Sequence, residues 1–171
     1  MIWLLVFILT GTLTPVNTFA DPGLFSTPQF AGLPKIKIYS MTDRDPIIPG
    51  NRFALYLSVK IQEGWHIYSL EPLHGNELLA TKIILEENFL EKGGNWKESS
   101  ISFIQDGAQE KLVKAHINIA EFHQEFSVPK NFAPGPYSLS GKFLYRACDN
   151  KLCTLPQTLP FITRFQVGFL E

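Results

Sequence analysis

The chain has 171 residues, 45% hydrophobic and 13% aromatic, with 15 Lys and Arg against 16 Asp and Glu and a net charge of −1. This balance excludes a basic nucleic-acid binder or a protein drawn to anionic membranes. The apolar content excludes a disordered tail, and two cysteines are too few for a zinc site on their own.

Residues 1–20, MIWLLVFILTGTLTPVNTFA, contain no charged side chain. The apolar run from Ile2 to Leu13 is too short to span a bilayer comfortably. Small residues at Thr18 and Ala20 then fit a signal-peptidase site. The segment reads as a signal peptide cleaved after Ala20, with a retained anchor as the alternative. The mature chain carries no membrane span. Residues 21–32 form an extended lead, and 33–171 supply enough chain for one domain with a real core.

From there the hydropathy alternates with period two. In NRFALYLSVKIQ, Phe53, Leu55, Leu57, Val59 and Ile61 face one way and Tyr56, Ser58, Lys60 and Gln62 the other, a half-buried strand. GWHIYSL and LLATKIILEE follow. AQEKLVKAHINIAEF is ambiguous between helix and strand. AEFHQEFSV places Phe122, Phe126 and Val128 on one face. PYSLSGKFLYRAC sets Tyr137, Leu139, Phe143 and Tyr145 against Ser138, Ser140, Lys142 and Arg146. TLPFITRFQV sets Leu159, Phe161, Phe165 and Val167 on one side. Gly, Pro and Asn signals such as IIPGN, EKGGN and APGP separate these runs. The pattern predicts an all-β, immunoglobulin-like two-sheet β-sandwich.

Both cysteines lie in YRACDNKLCTLPQ. DNKL is a four-residue hairpin connection, and facing residues of an antiparallel pair lie about 4.5–5.5 Å apart, within disulfide reach. As a staple, a bridge closing about six residues contributes only about 2 kcal/mol on the chain-entropy estimate. Continuing the alternation puts Cys148 on the polar face, near the rim. Arg146 and Lys151 favour a thiolate there and Asp149 opposes one. From these residues alone, a structural bridge and an exchange-active pair stand about equal.

Two segments resemble a known family. Tyr145, Cys148, Cys153 and Pro156 resemble the cysteine hairpin of the periplasmic N-terminal domain of DsbD-type thiol:disulfide interchange proteins. Gly64, Trp65, Tyr68, Pro72 and Gly75 are similar to that family's aromatic strand and the turn after it. The resemblance covers roughly residues 33 to 168. It implies a periplasmic immunoglobulin-like domain with protein-disulfide reductase-type activity, in a family tied to cytochrome c biogenesis. Cys153 would form the mixed disulfide and Cys148 would resolve it, with Tyr68 and His66 beside the pair. Phe103 would be the aromatic of a cap loop. The donor would be a thioredoxin-like or membrane-embedded thiol reductase, and the clients oxidised periplasmic proteins. The redox-active disulfide would be the only cofactor.

No metal-ligand spacing stands out among His66, His74, His116 and His123. His116 and His123 read as solvated or half-buried strand residues, and Trp96 as packing. The family usually continues into membrane and thioredoxin-like domains. The rival reading is a non-catalytic β-sandwich binding or assembly module whose hairpin bridge is structural, with binding at a sheet edge or around Trp65 and Tyr68.

Overall fold

The computed structural model describes residues 33–169. The signal peptide, its cleavage after Ala20 and the lead of residues 21–32 lie outside the described residues. Among those described, no helix is long and apolar enough to cross a membrane.

The alternating segments form the strands they predict. The first sheet contains β1 (Lys37–Thr42), β2 (Arg52–Lys60) and β9 (Ile119–Ser127), with two short strands, β5 (Glu91–Lys92) and β6 (Lys97–Glu98), both paired to β9. The second runs β12 (Gln157–Val167), β10 (Gly135–Tyr145), β4 (Lys82–Leu85). A third runs β11 (Ala147–Cys148), β3 (His66–Tyr68), β8 (Lys111–Ile117), β7 (Ser102–Asp106). Every ladder is antiparallel. One 3-10 turn, Glu77–Leu79, precedes β4.

The first two sheets bury their apolar faces against each other. Phe53 of β2 meets Phe165 of β12 at 5.9 Å between ring centroids, and Phe122 of β9 meets Phe143 of β10 at 5.4 Å. Leu55, Leu57, Val59, Leu139 and Phe161 fill the rest, and Trp96 packs at the margin. This is the all-β, two-sheet sandwich of immunoglobulin-like type that the alternation predicts.

The ambiguous segment resolves as a turn over 108–110 followed by strand, with no helix. β8 and β9 are one run broken at Asn118, whose φ of 61° lies in the left-handed region. Asn tolerates that region better than most residues. The bend lets β2 pair with β9 while β3 pairs with β8, so one ladder leaves the sandwich and continues as the third sheet. On the other side, β10 ends at Tyr145 and β11 begins at Ala147. Ladders from both layers therefore converge on β3.

Gly141 sits in mid-β10, between Phe161 of β12 and Leu85 of β4. A Cβ there would collide with the Phe161 ring and come within 2.9 Å of the Ile84 carbonyl. Gly141→Ala is expected to cost about 1–3 kcal/mol in urea unfolding through overpacking. Lys142→Ala, on the exposed face one residue on, is expected to stay within about 0.5 kcal/mol.

Candidate functional site

A second, smaller apolar cluster sits at the convergence. It contains Tyr68, Leu79, Val113, Ala115 and Cys148, with Ile104 and Cys153 packed against it. Cys148 and Cys153 face each other as an antiparallel bridge, joined by a disulfide, with Cα atoms 4.0 Å apart. Asp149 builds the turn between them: its Oδ1 accepts from the N–H groups of Lys151 and Leu152 at 2.7 and 2.8 Å. This is the Asx geometry that suits Asp to hairpin loops.

The position of Cys148 differs from the expectation. Alternation along β10 predicts an exposed side chain, but Cys148 has no exposed surface. The period breaks at Arg146, where the chain passes from the second sheet to the third, so Ala147 and Cys148 are both buried. Cys153 remains partly exposed. The two cysteines of one bond thus differ in access.

Asp106 organises the polar side of the site. It has no exposed surface, yet its two oxygens accept from three donors. Oδ1 accepts from the Ala108 and Gln109 N–H groups at 2.9 and 3.2 Å, closing the β7–β8 turn. Oδ2 accepts the Tyr68 hydroxyl at 2.6 Å and lies 3.2 Å from His66 Nε2. The Tyr68 oxygen is also 2.8 Å from Cys148 Sγ and 3.7 Å from Cys153 Sγ. A disulfide carries no proton, so the hydroxyl is the donor in this group, and it donates to Asp106. Burial, then the hydrogen bond to Asp106 and its negative charge, push the Tyr68 phenol well above its ordinary value, while the Arg146 charge pulls it down. Tyr68 therefore stays protonated at neutral pH.

The β7–β8 turn covers the pair. Gln109 Nε2 donates to Cys153 Sγ at 3.3 Å. Gly107 lies so close to the cysteine turn that a Cβ would sit 2.5 Å from the Asn150 carbonyl oxygen. Phe103 is placed differently: it is 62% exposed. It alternates with Ile104 and Asp106, whose side chains enter the site, so it points to the other face of β7. Of the other expected residues, His66 and Tyr68 are buried together at the pair, with rings edge to face. Tyr145 packs in the main core, where burial raises its phenol. Pro156 lines a cleft of about 200 Å³ with Leu78, Leu79, Leu144 and Arg146. Leu152 and Leu155 stand exposed on either side of Cys153.

His116 also differs from its expected solvated or half-buried setting. It is buried, with Nε2 2.9 Å from Glu98 Oε2. Ser69 Oγ and the Leu70 N–H donate to the same carboxylate at 2.5 and 2.9 Å. This ties the residues after Tyr68 to β6. His123 is half-buried on β9, stacked on Tyr56, and His74 lies exposed beside Glu77. Among the described residues, one group fits a metal by position: ligand atoms of His66, Asp106 and Cys148 lie within 4.8 Å of one another.

No protein-family model and no curated protein matches the chain. Solved structures that align over part of it include the following three. The N-terminal periplasmic domain of ScsB from Proteus mirabilis is similar with a TM-score of 0.46 and 16% identity, over 75% of this chain and 45% of that one. A family 123 glycoside hydrolase from Clostridium perfringens gives a TM-score of 0.38 and 12% identity, over 78% of this chain and 27% of that one. AvmM, which catalyses macrocyclization in alchivemycin A biosynthesis, gives 0.29 and 8%, over 78% and 88%. The chain spans less than half of the ScsB structure's length. At these scores the alignments define neither fold nor function for this chain, and the topology rests on its own strand register.

Asp106→Asn keeps one acceptor oxygen and puts an amide donor either against the Tyr68 hydroxyl and His66 or against the two backbone N–H groups. It is expected to lower stability by about 1–3 kcal/mol in denaturant unfolding. Burial alone would raise the Glu98 carboxyl, but bonds from His116, Ser69 and Leu70 together hold it below its ordinary 4.5. A carboxyl lowered in the fold stabilises above its unfolded value and loses that contribution as pH falls through the folded value. Glu98→Gln is therefore expected to be less stable than wild type at pH 7, with the gap closing below about pH 4.5 in unfolding curves across pH.

Proposed function

We propose that this chain is an exported, periplasmic thiol–disulfide exchange domain that works through Cys148 and Cys153. The observation that carries this reading is the asymmetry of the pair: the fully buried Cys148 lies against a protonated tyrosine and a buried carboxylate, and Cys153 is partly exposed. The resemblance of the cysteine hairpin to the DsbD-type domain supports it, as does the signal-like sequence of residues 1–20, which would send the chain to an oxidising compartment.

The steps follow from access. A donor thiolate reaches Cys153, forms a mixed disulfide and breaks the Cys148–Cys153 bond. Cys148 leaves as a thiolate beside the Tyr68 hydroxyl and takes up a proton there. A second donor thiolate then attacks the donor's own sulfur and frees Cys153, so the donor is oxidised and the pair reduced by two electrons. On a client the order reverses. The Cys153 thiolate attacks the client disulfide and one client sulfur leaves. Cys148, giving its proton to the Tyr68–Asp106 couple, attacks Cys153 and releases the client as a dithiol. Gln109, donating to Cys153 Sγ, favours the charge that develops there.

This cycle calls on no cofactor beyond the sulfur pair. Donors of the thioredoxin-like or membrane-embedded reductase type suit the apolar rim of Leu152 and Leu155. Oxidised periplasmic proteins, those of cytochrome c biogenesis included, are the proposed clients.

The reduction potential of the pair tests this, read by thiol alkylation in dithiothreitol or glutathione buffers. Exchange predicts a value above about −300 mV, where labile disulfides lie. Cys148→Ser is expected to accumulate mixed disulfides through Cys153, and Cys153→Ser to accumulate none. Tyr68→Phe is expected to slow exchange while keeping the potential measurable. A bridge that resists reduction until the chain unfolds returns the pair to a structural staple and the chain to a binding module.

A further inference from the structure

We propose that the reduced cysteine pair, with His66 and Asp106, forms a four-ligand site for a divalent ion of the zinc class. It depends on the exchange reading in one respect: the pair must open in the folded protein.

The ligands come from three strands and a turn: His66 from β3, Asp106 from the end of β7, Cys148 from β11, and Cys153 after the DNKL turn. His66, Asp106 and Cys148 are all buried. His66 Nε2 and Asp106 Oδ2 are 3.2 Å apart. That matches the edge of about 3.3 Å that two tetrahedral bonds of about 2.0–2.1 Å to nitrogen and oxygen subtend. Cys148 Sγ lies within 4.8 Å of both, and Cys153 Sγ is bonded to it. Opening the bridge turns a sulfur pair with no anionic ligand into two thiolates.

Two thiolates, one imidazole and one carboxylate form a mixed soft and hard set that suits zinc rather than calcium or magnesium. Binding releases the thiol protons and leaves a site charge of −1, which Arg146 offsets. Its charge acts at Tyr68, and its Nε is buried with no hydrogen-bond partner. The Tyr68 hydroxyl stands between Asp106 and Cys148 and is the group an ion displaces. Asp106 and Cys148, which take part in the proton transfer of exchange, thus hold the metal when no partner is docked, and an occupied site shields both thiolates from oxidation.

The test uses the whole chain, reduced under argon until both thiols titrate and then freed of reductant. Cobalt(II) is added and read by absorbance, followed by displacement with zinc(II). One cobalt per chain is expected, with the intense visible bands of four-coordinate thiolate cobalt, and none in the oxidised protein. His66→Gln is expected to weaken binding by more than the roughly 10–100-fold that losing an outer-shell partner costs. Tyr68→Phe is expected to bind at least as tightly as wild type even though it slows exchange. A reduced chain that exchanges disulfides but leaves cobalt with the spectrum of the aqueous ion overturns this proposal and spares the exchange reading. So does His66→Gln binding as well as wild type. A pair that opens only on unfolding overturns both.

Discussion

A single buried carboxylate holds the region around the disulfide together. Asp106 is surrounded by protein, and an isolated charge there would be very unfavourable. It is kept by donors from separate parts of the chain: two backbone N–H groups of its own turn, the Tyr68 hydroxyl and the His66 ring. Its turn contacts fix where Gln109 and Gly107 meet the cysteine loop. Its side-chain contacts fix where the Tyr68 oxygen meets Cys148. Removing the charge would leave the turn, the tyrosine and the sulfur pair with no common reference point.

That carboxylate works only because strands from both layers of the sandwich arrive at β3. The left-handed residue Asn118 bends one ladder out of the first sheet. The break at Arg146 turns β10 into β11 from the second. A strand buried on both faces results: His66, Ile67 and Tyr68 are each covered. Isolated strands at a sheet edge could not exclude water from an aspartate and the Cys148 side chain. At this corner they can.

The sandwich was legible in the sequence because one face of each strand is wet, and alternation reports that directly. Phe53 to Ile61, Phe122 to Val128 and Phe161 to Val167 all bury the residues the pattern assigns. The facing cysteines were legible for a local reason, a four-residue loop between extended runs. The hidden features are those where periodicity stops carrying information. Cys148 is buried because the chain changes sheets one turn before it, which no pattern within β10 records. Asp106 sits in an Asp-Gly pair that reads as an ordinary turn; nothing near it signals that its second oxygen faces a tyrosine far along the chain. The family resemblance implies an aromatic cap over the cysteines, with Phe103 as its candidate. The alternation of β7, applied from Asp106 backwards, sends it outward.

The apolar side chains fall into two clusters, one between the sheets and one around the cysteines. Drift at Phe53 or Phe126 is felt first in whether the chain folds. Drift at Val113, Ala115 or Leu79 is felt first in how tightly water is kept from Cys148. Scaffold and disulfide pocket are thereby packed by different residues, so substitutions can alter the surroundings of the sulfurs while the sandwich core stays as it is.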